Sequence, residues 1–204
     1  MDPITTPHPV EQHPFEPFLP FNARVLFLGS FPPQQKRWSM PFFYPNFTND
    51  FWWMCGLLWF GDKEYFARRR EKRFDLEQVV EFCSAAGFAL FDTARAVRRL
   101  KDNASDKFLE VVEPTDIGAL LRAIPLCETL VTTGQKATEI VAERYGCPIP
   151  PIGEKVGVDI PVEGEGVRRC SFYRMPSTSR AYPLSLEKKA AVYAQMFRAI
   201  GLLE

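Results

Sequence analysis

The chain has 204 residues, of which 46% are hydrophobic, and it carries 25 basic and 25 acidic side chains. This length fits one domain with a sizeable core, and the composition is that of a folded protein rather than a disordered one. A net charge of zero argues against a protein that coats nucleic acid, although it is compatible with a local basic groove.

The sequence has no run of about 18 apolar residues and no apolar signal-peptide core near its start. We therefore expect a cytoplasmic protein without a membrane partner. The five cysteines are an odd number and are widely spaced, which favours reduced thiols. His8 and His13 are the only histidines, and both lie in the N-terminal segment. We therefore expect no metal and no histidine-based catalysis in the folded body.

The N-terminal segment, residues 1–22, contains six prolines. It predicts an extended arm that packs on a single domain formed by residues 23–204. The rings expected to pack are Phe15, Phe18 and Phe21. Residues 1–12 alternatively form a mobile tail, because chain termini that nothing holds are usually poorly ordered.

Apolar periodicity and capping residues predict the regular structure. Short apolar runs predict buried strands at residues 24–29, 88–91, 129–133 and 169–175. Helical spacing predicts helices at residues 49–60, 62–73, 76–86, 115–123 and 135–145, and a last helix between Ser185 and Gly201. The helix at 62–73 is charged, so we expect it to face solvent. Residues 93–107 are a polar, basic stretch, and residues 147–166 are a loop or a hairpin.

The alternation of strands and helices predicts an α/β sandwich around a mainly parallel sheet of four strands. Ligands in such sheets bind at the carboxyl ends of the strands. The loops at those ends begin at Gly29, Phe91, Thr133 and Met175. We expect the first and last of these loops to meet as a slot for one planar base.

The first loop, residues 29–49, has no helical or strand period and contains several prolines and aromatic residues. Its rings, including Phe43 and Tyr44, provide either a flat wall for a heterocycle or ordinary core packing. The last loop contains Ser177, Thr178, Ser179 and Arg180, which either grip phosphate or form a solvated polar turn. Basic residues that follow the second strand would lie on the same rim: Arg95, Arg98, Arg99 and Lys101.

Two groups of residues, taken together in their order along the chain, resemble the motifs of the uracil-DNA glycosylase superfamily, although the interval from Tyr44 to Asn49 is longer than in the compact form of the motif. The first is Gly29-Ser30-Phe31-Pro32, then Tyr44-Pro45 and Asn49-Asp50-Phe51-Trp52. The second is Met175-Pro176-Ser177-Thr178-Ser179. The likeness spans residues 13–201 and is greatest to the mismatch-specific uracil/thymine and the hypoxanthine-DNA glycosylase branches.

The resemblance implies a three-layer α/β/α enzyme that excises a deaminated or mismatched base from DNA without a cofactor. Hypoxanthine, uracil and xanthine are the expected bases, and we expect a monomer. Asn49 and Ser30 would be catalytic, with Asn46 as the alternative to Asn49. The base would be bound by Gly29, Phe31, Pro32, Phe43, Tyr44 and Asp92. DNA would be contacted by Pro176, Ser177, Thr178, Ser179, Arg180 and Arg98, with Arg180 or Tyr182 filling the emptied stack.

Two features of the sequence keep two alternatives to a DNA glycosylase open. Phe31 stands where many superfamily members have an Asp or Asn that activates water. The chain could therefore be an inactive or weakly active nucleic-acid-binding module on the same fold. The neutral net charge favours a second alternative, which is a hydrolase of free nucleosides.

Overall fold

The computed structural model describes residues 8–101 and 106–204. Its strands are β1 (Val10–Gln12), β2 (Val25–Gly29), β3 (Ala67–Arg68), β4 (Arg73–Phe74), β5 (Phe88–Asp92), β6 (Ala94–Arg99), β7 (Leu109–Pro114), β8 (Thr129–Thr133), β9 (Lys155–Val162) and β10 (Gly166–Met175). Its α-helices are α1 (Asp50–Phe60), α2 (Leu76–Ala86), α3 (Ile117–Ala123), α4 (Gln135–Tyr145) and α5 (Leu186–Ala199).

The central sheet has five strands in the order β5-β2-β8-β10-β9. The first four run parallel, and β9 pairs with β10 in the antiparallel direction. The prediction of four strands is therefore wrong, because residues 147–166 contribute a fifth strand at the edge. Glycines and prolines obscure β9 in the sequence, yet its side chains alternate, with Val158, Ile160 and Val162 buried. Pro161 fits there because an edge strand tolerates a missing N–H.

Helices lie on both faces of this sheet, as an α/β/α arrangement requires. Phe27 of β2 packs against Phe51 of α1 and Phe197 of α5, with ring centroids 5.3 and 6.0 Å apart. On the opposite face, Thr132 of β8 bonds to Thr138 of α4 at 2.8 Å. Successive strand residues point to opposite faces, so these contacts place α1 and α5 on one side and α4 on the other.

A second, antiparallel sheet has the order β1-β6-β7 and lies beside the first loop. It contains the stretch that we expected to be polar and basic, of which residues 102–105 lie outside the described part. Within β6, Ala94, Ala96 and Val97 are buried while Arg95 is exposed. Small apolar residues alternate with arginines in this strand, and the high charge of the segment made the strand hard to recognise in the sequence.

The predicted solvated helix at residues 62–73 is wrong. This segment forms a small hairpin from β3 and β4, joined by a 3₁₀ turn at Arg69–Glu71. Its charges pair locally, as Arg69 does with Glu64, while Phe66 and Phe74 are buried. Burial of these two rings, together with local charge pairing, therefore favours the hairpin over the helix that the apolar spacing predicts.

The remaining helices are confirmed, and their ends follow the capping residues. Asn49 precedes α1, and its Oδ1 accepts a hydrogen bond from the Phe51 N–H at 2.9 Å. Asp116 and Ser185 cap α3 and α5 in the same way. Gly87 ends α2 with φ of 69°, a left-handed conformation that glycine adopts without strain.

The core covers both faces of the sheet, and many of its large rings lie on the α1/α5 side. Phe197 is fully buried and contacts Phe27, Trp59 and Phe88. Of the arm rings, Phe15 and Phe18 pack on this core, whereas Phe21 is 75% exposed, contrary to expectation. Within the described ranges, no helix combines the length and the apolar character needed to cross a bilayer.

Replacing Phe197 by alanine should lower the free energy of unfolding by about 3–5 kcal/mol, because it leaves a cavity among large rings. Urea denaturation followed by tryptophan fluorescence measures this loss. Phe21→Ala is the matched control and should change the stability by less than about 0.5 kcal/mol. Equal stability of the two variants would contradict the packing described for Phe197.

Candidate active site

A cavity of about 350 Å³ opens where the parallel strands end. The sheet register aligns Gly29 with Asp92 and Met175 with Thr133, so the loops after these strands begin side by side. The first and last loops also bond directly, since the Asp50 N–H donates to the Thr178 carbonyl at 2.8 Å. The two loops that we expected to form a slot therefore line one cavity.

The structure brings most of the predicted site residues to this cavity. They are Gly29, Ser30, Phe31, Pro32, Phe43, Tyr44, Asn49, Asp92, Ser177, Thr178, Ser179 and Arg180. Two others lie outside its lining. Pro176 is buried, and its carbonyl accepts a hydrogen bond from the Tyr193 hydroxyl at 2.9 Å. Arg98 points away along β6 and pairs with Glu110 at 3.4 Å.

Asp106 is the main cavity residue that the sequence did not reveal. It lies in a 3₁₀ turn, Asp106–Phe108, far along the chain from the motif loops. Burial raises the pKa of its carboxyl group above the ordinary value of 3.8, and the nearby Asp92 charge raises it further. The Ser30 hydroxyl opposes this shift by hydrogen bonding. Asp106 thus supplies a carboxyl group beside the loop that carries Ser30 and Phe31.

The position of the Asp92 carboxylate leaves no room for a side chain at Gly29. A Cβ atom added at Gly29 would lie 2.3 Å from Asp92 Oδ1, well inside the van der Waals limit. The sheet pairs the backbones of these two residues directly, so a side chain at position 29 would force the Asp92 carboxylate to rotate away. A glycine at the end of β2 therefore lets the carboxylate lie against the cavity floor.

The expectation that both histidines stand outside the folded body is wrong for His13. Its Nε2 lies 2.9 Å from Asp92 Oδ2, and its side chain is only 3% exposed. The feature of the sequence that indicated a packed His13 was the proline-rich arm, which is held in place because β1 pairs with β6. What the sequence could not show is that the arm passes beneath the end of β5.

The aromatic wall of the cavity is built from Phe31, Phe43 and Tyr44. Tyr44 adopts φ of 49° and stacks on Phe51 with centroids 3.9 Å apart. Its hydroxyl bonds to the Thr133 hydroxyl at 3.1 Å, and burial raises its pKa far above the usual value. Tyr44 is therefore a neutral and firmly held part of the wall.

Asn49 combines a structural and a possible chemical role. Its Oδ1 caps α1, so its Nδ2 amino group is the part left to act as a donor, and the residue lines the cavity. Asn46 also lines the cavity, but its Oδ1 accepts bonds from the Thr48 N–H and hydroxyl at 3.0 and 2.9 Å.

A buried ion pair joins the two motif loops to α5. Lys189 Nζ lies 2.8 Å from Asp50 Oδ2 and 2.7 Å from the Ser179 carbonyl. Lys189 is 0% and Asp50 2% exposed. The guanidinium of Arg180 lies 3.0 Å from Asp50 Oδ1, while its side chain remains 66% exposed at the cavity mouth. The buried carboxylate of Asp50 thus pairs with both the buried Lys189 and the exposed Arg180.

The fold is similar to that of a protein from Methanosarcina acetivorans that was solved by NMR and is described as a "putative Uracil DNA glycosylase". The likeness covers 94% of this chain and 99% of that chain, with a TM-score of 0.61 and 19% identity. No protein-family model and no curated protein matches the sequence. At this identity the likeness confirms the α/β architecture implied by the motifs, and it concerns the fold alone.

Replacing Lys189 by methionine should lower the free energy of unfolding by about 3–5 kcal/mol, because it leaves the Asp50 charge buried without its closest partner. Chemical denaturation measures the change. Lys188→Met is the control, since Lys188 is the exposed neighbour on the same helix. If both variants unfold at the same denaturant concentration, the buried pair does not hold the loops in the way described.

Proposed function

We propose that this chain is a DNA glycosylase of base-excision repair that hydrolyses the bond between a deaminated or mismatched base and its sugar. One observation carries the proposal: the ends of four parallel strands form an aromatic-walled cavity that contains two carboxyl groups, Asp92 and Asp106. The motif resemblance and the fold of the Methanosarcina protein support the same activity. Hypoxanthine, uracil and xanthine are the bases proposed.

The shape of the cavity suits a single base that has left the DNA stack. Its volume of about 350 Å³ is at the small end of the range for ligand sites. Phe31 and Phe43, 8% and 3% exposed, offer apolar ring surface, and Pro32 stiffens the adjoining loop. An enzyme that does chemistry on a base in a duplex must first flip the nucleotide out of the stack, so a narrow slot at the surface suits this reaction.

The reaction we propose is a hydrolysis. A water oxygen attacks the sugar carbon C1′, and Asp106 accepts the water proton as general base. The electron pair of the broken C–N bond goes to the base, which leaves as an anion and then takes up a proton. The Asn49 amide and the hydroxyl pair of Tyr44 and Thr133 are donors that can stabilise the negative charge on the leaving base. Ser30 orients Asp106.

The mouth of the cavity provides contacts for the sugar–phosphate backbone. Arg180 and Arg37 contribute exposed guanidinium groups, and Ser177 and Ser179 contribute hydroxyls within short polar turns. Such groups commonly bind phosphate oxygens without reading sequence. Because Arg180 is already held by Asp50, we propose that it contacts a phosphate beside the flipped nucleotide.

The direct test is base release from oligonucleotides that carry hypoxanthine, uracil or xanthine, in single and double strands. We expect alkali-sensitive sites with at least one lesion, and a loss of about 100-fold or more in Asp106→Asn, the usual contribution of a general base. Asp159→Asn is the control, because Asp159 is an exposed aspartate on β9 that pairs with Arg169. No release by the native chain from any lesion would overturn the proposal. Turnover of free nucleosides alone would favour the nucleoside hydrolase.

The pH dependence follows from the raised pKa of Asp106. A general base must be ionised, so activity should fall on the acid side at a pH above the ordinary aspartate value of 3.8. The same shift means that ionisation of Asp106 lowers stability as the pH rises through its pKa in the folded chain. Asp106→Asn should therefore melt at the same temperature as the native chain or higher at pH 7. A lower melting temperature would assign Asp106 a structural role.

The role of Arg180 is tested by the salt dependence of DNA binding. Arg180→Ala should weaken binding to all sequences and reduce the slope of log K against log salt by about one. Arg122→Ala is the control, since Arg122 is also exposed and paired, with Glu163 at 2.8 Å. Fluorescence anisotropy over a range of salt concentrations gives the slope, and equal slopes for both variants would exclude a phosphate contact at Arg180.

A further inference from the structure

The N-terminal arm reaches the floor of the cavity. His13 follows β1, and its Nε2 bonds to Asp92 Oδ2 at 2.9 Å, across 79 positions of the chain. The other carboxylate oxygen, Oδ1, lies directly over Gly29, and both Asp92 and Gly29 line the cavity. One oxygen of Asp92 is thus held by the arm while the other lies against the floor of the site.

We propose that His13 is a positioning residue that fixes the orientation of Asp92, so that its carboxylate stabilises the positive charge that develops on the sugar. The inference rests on the proposed glycosylase function. It makes the arm a part of the active site, and it gives the two carboxyl groups different roles. Asp92 acts electrostatically, whereas Asp106 exchanges a proton with water.

The contacts of the His13 ring put a proton on Nε2. The Phe15 N–H lies 3.1 Å from Nδ1 and can donate to it in the neutral ring, which then carries its proton on Nε2. The Phe15 carbonyl also lies 2.9 Å from Nδ1 and can accept from it in the charged ring, which carries protons on both nitrogens. The remaining tautomer, with its proton on Nδ1 alone, would place a bare Nε2 lone pair 2.9 Å from a carboxylate oxygen, so the pair favours an Nε2–H that donates to Asp92 in a charge-assisted bond.

Aromatic rings surround the His13 side of this pair. The His13 ring packs against Phe31, Phe43 and Phe91, with centroids 5.4, 6.1 and 4.5 Å away. The rings keep water from the His13 side of the carboxylate, so the bond from His13 supplies the polar partner there. Without that bond, the Asp92 carboxylate would be free to turn away from the floor.

The arm is held in place independently of the His13 ring. Glu11 forms an ion pair with Arg99 at 3.0 Å, and Arg99 also donates to the Pro32 carbonyl at 3.1 Å. The His13 backbone N–H donates to the Arg95 carbonyl at 2.7 Å. Substitutions of the ring should therefore leave the arm attached, which makes the role of the side chain testable.

The kinetic test compares three variants in single-turnover base release. His13→Phe fills the same space without a donor and should lower the rate constant by about 10- to 100-fold, the size expected when a bond to a charged group is lost. Its affinity for lesion DNA should stay within about twofold, because the loss concerns the transition state. His13→Gln restores an N–H donor and should recover part of the rate. His8→Phe, an exposed histidine of the same arm, is the control.

A double-variant cycle separates positioning from packing. In an Asp92→Asn background, His13→Phe should cause no further loss of rate, because the carboxylate it supports is already gone. Additive losses would overturn the proposal. So would a native rate in His13→Phe, or no recovery in His13→Gln when both variants melt as the native chain does.

A spectroscopic readout on the native chain does not depend on activity. Nitrogen-15 NMR of the histidine rings should show the His13 Nε2 protonated, and the signal should change in Asp92→Asn but not in Asp106→Asn. A His13 ring that is protonated on Nδ1 alone would overturn the inference. If the native chain releases no base from any lesion while this signature is present, the failure belongs to the proposed function and not to the His13–Asp92 pair.

Discussion

The buried ion pair of Asp50 and Lys189 is the constraint on which the cavity depends. Asp50 opens α1, directly after the first loop, and Lys189 lies in the first turns of α5, directly after the last loop. With exposures of 2% and 0%, neither charge has water to replace its partner. Breaking the pair would leave each buried charge without its closest partner, so the two loops must stay together. The bond from Lys189 to the Ser179 carbonyl extends the same constraint into the last loop.

The charges of the site are arranged in layers, although the whole chain has a net charge of zero. Asp92, Asp106 and the buried Arg99 line the interior of the cavity, and the exposed guanidinium groups of Arg37 and Arg180 lie at its mouth. The exposed cations would attract a phosphate to the mouth, so the proposed DNA substrate would bind with its base inward.

The sequence predicted those strands and helices whose structure is decided by residues close to them in the chain. The apolar run of β2 and the caps at Asn49 and Ser185 could be read directly, because burial and capping act over a few positions. Strand β9 could not be predicted in this way, because pairing with a partner strand decides its structure. The hairpin at 62–73 could not either, because it depends on buried rings that the local pattern does not identify. The same reason applies to the site. The motif loops were visible, but Asp106 and His13 come from segments without a motif and reach the cavity only through tertiary contacts.

The contacts that form the cavity join distant parts of the chain. His13 and Asp92 are separated by 79 positions, and Asp50 and Lys189 by 139. Contacts of this kind form late and slowly, because long loops must close before the contacts can stabilise them. A growing chain that has not yet produced α5 lacks the pair that draws the last loop inward. The cavity therefore needs both the segment that carries His13 and helix α5, and it is complete only when the whole sheet has folded.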